Sequence, residues 1–183
     1  MMIALLWSMA CTNAPVADDA PSPSREDTGT IVEDRCGPMT FELGSGFDVH
    51  RPLTNGDSIT MVHGAQGGWH IDISGLASTT GTWLAIAPVV TRKSDGLRIA
   101  GDQSVTYVDA EAVDECTSTF AGVRAFLDDH DPTPQTNLEF LCSLDGETFE
   151  VEVTATDVDS GTGVTEQRDF VLYADPLDYC DLL

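Results

Sequence analysis

Four histidines and 31 carboxylates are the groups in this chain best equipped to hold a ligand or move a proton. His63 and His70 flank Gly64-Ala65-Gln66-Gly67-Gly68, a glycine-rich turn that would bring the strands on either side together. Met61 shares a strand face with His63, and a Met-x-His pair beside a second imidazole suits copper or zinc. A transition metal held by His63, His70 and Met61 is therefore an alternative reading of this stretch. The same stretch supports a different reading. Gln66, Trp69 and His70 place an amide, a large aromatic and a titratable ring beside dense glycines, a loop that could meet a sugar or a peptide. Hard oxygen ligands lie elsewhere. Asp157 and Asp159 sit two apart in the acidic turn Ala155-Thr156-Asp157-Val158-Asp159-Ser160-Gly161, so both could reach one calcium ion. Asp128, Asp129 and Asp131 form a second acidic loop.

Catalytic patterns are sparse. Asp27-Thr28-Gly29-Thr30 and Asp159-Ser160-Gly161-Thr162 match the tetrad of aspartic proteases, whose chemistry needs two carboxylates sharing one proton. Asp27, however, follows Pro23-Ser24-Arg25-Glu26 in a polar stretch with nothing to hold it against a partner. No G-x-S-x-G elbow, H-E-x-x-H pair or phosphate-binding glycine loop occurs, and the one lysine is Lys93. No catalytic residue is assigned, and the expectation is a non-enzyme. With 8 basic against 31 acidic side chains the formal net charge is −23, which repels phosphate backbones and excludes nucleic acid as a partner. Such acidity also fits a salty or divalent-ion-rich setting.

The elements that must position these groups read as strands. Phe149-Glu150-Val151-Glu152-Val153-Thr154-Ala155 alternates apolar and polar, as a half-buried antiparallel strand requires. Leu138–Cys142 reads as its hairpin partner across Asp145-Gly146. Further strands are expected at Thr40–Leu43, Phe47–Arg51, Ser58–His63, Trp69–Ser74, Thr82–Thr91, Leu97–Ala100, Val105–Asp109, Thr117–Leu127 and Val164–Tyr173. Asn55-Gly56-Asp57, Ser94-Asp95-Gly96, Gly101-Asp102 and Asp131-Pro132-Thr133-Pro134 supply turns between them. About nine to eleven short strands so spaced predict an all-β fold, an antiparallel β-sandwich.

Five cysteines bear on compartment. Cys36, Cys116, Cys142 and Cys180 are an even set with no C-x-x-C pair, so two disulfides are expected rather than zinc. Three connectivities exist. Cys36–Cys180 is favoured because the two bracket the folded region, leaving Cys116–Cys142 to join two core strands.

Cys11 stands apart. Residues Met1–Ala10 form a short apolar stretch ending on small residues, too short to span a bilayer. Leu6-Trp7-Ser8-Met9-Ala10-Cys11 resembles a bacterial lipoprotein signal, with Ser8 where that family usually has leucine and no basic residue ahead of the core. The resemblance implies cleavage before Cys11 and a lipid on its thiol. Thr12 is not the Asp that commonly retains such proteins at the inner membrane, so an outer-membrane location follows, on the periplasmic or cell-surface side. Residues 11–35 are rich in Pro, Ser, Asp and Glu and read as a solvated linker, and residues 36–183 as the sandwich domain. Phe149–Tyr173 resembles the closing hairpin of immunoglobulin-like modules of the cadherin and PKD type. The expected function is a lipid-anchored envelope protein that binds or scaffolds, its partner an envelope protein or a glycan. The alternatives are a periplasmic copper or zinc protein and a calcium-dependent adhesion module.

Overall fold

Alternating sequence folds here into two facing sheets. The computed structural model describes residues 35–64, 68–79, 81–101, 105–127, 137–176 and 180, all within the unit 33–183. Their elements are β1 (Thr40–Ser45), β2 (Arg51–Pro52), β3 (Asp57–Thr60), β4 (Val62–His63), β5 (Trp69–Ser78), β6 (Trp83–Arg92), β7 (Arg98–Ala100), β8 (Thr106–Asp109), β9 (Glu111–Ala112), β10 (Thr117–Leu127), α1 (Asn137–Cys142), β11 (Thr148–Asp157) and β12 (Gly163–Tyr173). The first sheet runs β2-β1-β5-β10-β9, with β4 also on β5, and the second runs β3-β12-β11-β6-β7, with β8 also on β6. Every pairing is antiparallel except β3 with β12. The expected antiparallel β-sandwich is what forms.

Two segments step from one sheet to the other. Residues 57–63 leave the second sheet and join the first at Met61, whose N–H donates to the Tyr173 carbonyl at 2.8 Å. Residues 106–112 do the same at Ala110, whose N–H donates to the Thr82 carbonyl at 2.7 Å. Both stepping residues are buried, so each crossing closes a corner of the core. Between the sheets lie Leu43, Ile71 and Ile73 from the first and Leu84, Ile86, Phe149, Val151, Val153 and Phe170 from the second, all with no exposed surface. Each such side chain contributes about 1.5–3 kcal/mol by leaving water. Gly75 is small for a reason. A Cβ there would collide with Phe41 and Phe120, whose rings stack at 6.1 Å across it.

Three expected strands come out differently. Leu138–Cys142 is not a hairpin partner of β11 but falls in helix α1. The buried residues here are Phe140 and Leu141 in the helix and Leu144 in the turn after it, spaced as one face of a helical turn rather than every second residue. Ser58–His63 is split by the corner at Met61. Of Phe47–Arg51 only Arg51 is in a strand, and the preceding residues fold over the first sheet instead.

The expected disulfide connectivity is also corrected. The pairs are Cys36–Cys116 and Cys142–Cys180, each with Cα atoms 5.2 Å apart. Strands β1 and β10 flank β5 and both reach its last residue, in the pairs Thr40↔Ser78 and Thr117↔Ser78. Cys36 and Cys116 lie just beyond those positions and meet past the end of β5. Cys142 ends α1, and the turn that follows lies on the end of β12. There Gly146 N–H donates to the Leu172 carbonyl at 2.8 Å, and Ala174 N–H to Asp145 Oδ1 at 2.7 Å. That docking brings Cys142 to Cys180.

Candidate ligand-binding face

The two faces of β5 divide the chemistry. Ile71, Ile73 and Ala77 point into the core, so His70, Asp72 and Ser74 point outward, yet all three are buried. A chain segment covers part of this outer face. Residues 46–50 cross back over it, with Gly46 N–H donating to the Asp72 carbonyl at 3.1 Å and Gly122 N–H to the Gly46 carbonyl at 2.9 Å. Both glycines have positive φ, 140° and 71°, where a side chain would be strained. The segment ends on His50, which lies on Gly44. A Cβ on Gly44 would come within 2.5 Å of the imidazole.

His50 is held from both sides. Its Nδ1 is 3.0 Å from Ser74 Oγ and its Nε2 is 3.0 Å from Glu42 Oε1. The residue types are those of a hydrolase triad, but the ring nitrogens are exchanged, with the serine on Nδ1 and the acid on Nε2. Ser74 also has no exposed surface. The arrangement fastens the covering segment to β1 and β5.

Farther along β5, His70 Nε2 is 3.4 Å from Asp72 Oδ1, and both side chains are nearly sealed. Among the described residues, His70 Nδ1 and Asp72 Oδ1 find no hydrogen-bond partner. On β10, Phe126 stands opposite His70 and Arg124 opposite Asp72. Burial lowers the His70 pKa below 6.5, the Asp72 charge opposes that, and Arg124 adds to it, so the site favours the neutral imidazole.

Beside the covering segment opens a cleft of about 780 Å³. Phe47 and Val49 line it, with Val113 and the acids Asp48, Asp109 and Glu111. Phe47, Val49 and Val113 are 57%, 55% and 59% exposed. No lysine or arginine lines it.

The residues singled out from sequence are distributed otherwise. His63 pairs with Trp69 and Val62 with His70, so His63 and His70 point to opposite faces of the sheet. Met61 is buried in the core. The three expected copper or zinc ligands are therefore not brought together. Among the described residues no group of three or more His, Cys, Asp or Glu is arranged to hold a metal. Trp69 stacks on His63 at 4.5 Å and packs against the core, while its neighbour His70 faces the other way. Trp69 and His70 share no face for a ligand, and Gln66 lies outside the described residues, as do Cys11, Asp128, Asp129 and Asp131. Asp157 is buried, and protein donors occupy its oxygens. Thr79 Oγ1 donates to Oδ2, and the Asp159 and Ser160 N–H groups donate to Oδ1, each at 2.9 Å. Asp159 is exposed and meets Asp157 through its backbone.

Phe47, Val49, His50 and Val113 escaped the sequence reading. The alternation of 47, 49 and 51 was strand-like, and only the flanking Gly44 and Gly46 hinted that the chain must turn and press closely there.

The described fold is thus a disulfide-stapled, two-sheet β-sandwich with one partly covered outer face. No family model matches the sequence, and neither does any curated protein. Among solved structures, the chain is similar to the CooA pilin subunit from enterotoxigenic Escherichia coli, at 12% identity and a TM-score of 0.36. That match covers 74% of this chain and 99% of the pilin. Likeness at that level assigns neither a family nor a function.

Proposed function

We propose that the chain is an exported lipoprotein of the bacterial cell envelope, held by a lipid on Cys11, whose β-sandwich binds or scaffolds rather than catalyses. One observation carries this reading. The two disulfides consume Cys36, Cys116, Cys142 and Cys180, so the fifth cysteine is the one that follows the signal-like stretch. Disulfides form and persist in oxidising compartments, which an exported chain reaches. Residues 11–35 then act as the linker between anchor and sandwich, and Thr12 after the lipidated cysteine favours the outer membrane. On the sandwich itself a cleft among the described residues combines exposed apolar side chains with an acidic lining, which suits recognition.

Expression of the full chain in a Gram-negative host with an alkyne-bearing fatty acid tests the anchor. The expected product begins at Cys11, carries the label, and loses it in Cys11→Ser. An unlabelled product, or one retaining residues 1–10, would overturn the proposal.

A further inference from the structure

The cleft beside residues 46–50 offers more than a place to bind, because its lining specifies what would bind. Exposed apolar side chains scattered singly are ordinary on any surface. Here Phe47, Val49 and Val113 line one opening, each more than half exposed. Asp48, Asp109 and Glu111 line it too; among the described residues no lysine or arginine does, and the one imidazole, His50, is already held by Glu42 and Ser74. Elsewhere on the surface some acids have a basic partner: Arg92 with Asp95, Lys93 with Asp169, and Arg168 with Glu166. In the cleft the complementary charge must come from the ligand.

From this lining we infer that the cleft receives a cationic, amphipathic peptide segment of a partner protein, apolar side chains entering against Phe47 and Val113 while Lys or Arg meets Asp48, Asp109 and Glu111. Charge selects this occupant over nearer ones. A second copy of the chain brings another −23, and residues 11–35 carry Asp18, Asp19, Glu26, Asp27, Glu33 and Asp34 against Arg25 and Arg35. Both would be repelled. A polyamine satisfies the acids but gives the apolar lining nothing to exclude water with. The wall is prepared in advance: His50 is fixed on Ser74 and Glu42, and Gly46 is bonded to β5 and β10, so little ordering cost remains on this side.

The inference rests on the binding role proposed above but is tested separately from the anchor. The full chain is titrated against a fluorescent peptide alternating Lys and Leu, with a Glu–Leu peptide as counterpart. The Lys–Leu peptide should bind, and the Glu–Leu peptide should not. Neutralising the lining with Asp48→Asn, Asp109→Asn and Glu111→Gln together should weaken binding roughly tenfold or more, as should raising ionic strength from about 0.05 to about 0.5 M. Phe47→Ala should cost roughly tenfold as well. Val113→Ser serves as a second apolar variant, and circular dichroism verifies each fold. The matched triple Glu147→Gln, Glu150→Gln and Glu152→Gln, around β11, should change nothing. Absence of binding, equal binding of the Glu–Leu peptide, or equal weakening by both triples would overturn the inference. None of these outcomes touches the acylation result, so the two claims fail independently.

Discussion

Replacing Asp157 by alanine should unfold the sandwich more readily by about 2–4 kcal/mol. The carboxylate is 3% exposed and joins two turns at one end of the molecule, the β11–β12 turn that contains it and the β5–β6 turn that supplies Thr79. Gly81 completes the fit, since a Cβ there would stand 2.6 Å from Asp157 Oδ2. A hydrogen bond to a charged group is worth about 1.5–3 kcal/mol, and Asp157 accepts three. The sum is discounted because the Asp159 and Ser160 N–H groups lie in an exposed turn where water can replace the carboxylate, whereas the Thr79 hydroxyl is buried. Asp157→Asn keeps an acceptor without the charge and should lose about half as much. Burial raises the carboxyl pKa, but the Thr79 hydroxyl and the Ser160 and Asp159 N–H groups outweigh it and hold it below 3.8. The folded protein therefore binds the proton less readily than the unfolded chain. Its contribution is complete above 3.8 and lost as pH falls through the folded value. Urea denaturation followed by circular dichroism, with and without millimolar calcium, measures all of this. A loss below about 0.5 kcal/mol in Asp157→Ala would refute the reasoning. So would a calcium-dependent rise in the wild-type midpoint that Asp157→Asn abolishes, because these oxygens would then be metal ligands rather than acceptors for Thr79 and the turn.

Other expectations follow from the same geometry. Peptide mapping without reductant should recover Cys36 joined to Cys116 and Cys142 to Cys180, and a Cys36–Cys180 peptide would contradict the fold. Removing the first bridge, which spans 80 residues, should cost about 4–5 kcal/mol by chain entropy, slightly more than removing the second, which spans 38. Gly44→Ala should cost about 1–3 kcal/mol, since its methyl would drive into Arg51 and His50, and proteolysis should then cut first within residues 46–50. Because the folded pKa of His70 lies below 6.5, the unfolded chain takes up its proton first as pH falls. Stability should decline from pH 6.5 down to the folded value, and His70→Gln should flatten that slope in denaturation series across the interval.

Much of the fold was legible because strands leave a local trace. The alternation over Phe149–Ala155 marks β11, observed over Thr148–Asp157, and Thr117–Leu127 is β10 residue for residue. The trace fails where burial is not periodic within one element. Leu138–Cys142 has an apolar residue at every second position, but Leu144, beyond its end, completes a helical face that alternation does not register. Ser58–His63 hides a corner because Met61 is one more apolar residue in an apolar run. The candidate site was less legible still. Whether His63 faces His70 depends on the register across the turn between them, and a shift of one residue reverses every side chain. The fastening of Glu42, His50 and Ser74 joins residues far apart in the chain, and nothing in their spacing announces it.

The two outer faces also differ in a way that bears on function. Across the second sheet, exposed polar side chains pair with one another over neighbouring strands: Thr154 with Thr165 at 2.8 Å and Gln167 with Glu152 at 2.7 Å. Water satisfies whatever they leave over, and such a face needs no cover. Its counterpart on the first sheet buries His70 and Asp72, whose Nδ1 and Oδ1 find no hydrogen bond among the described residues, an arrangement that opposes folding. It also holds three glycines, Gly44, Gly46 and Gly122, where a side chain would clash or strain the backbone, and all three serve the covering segment. A sandwich that only filled space would gain stability by exchanging the buried pair for apolar residues. Departures from local consistency gather where a surface has work beyond folding. Here they gather under and beside residues 46–50, which form one wall of the acidic cleft, and that coincidence is what the proposed binding role on the first sheet would account for.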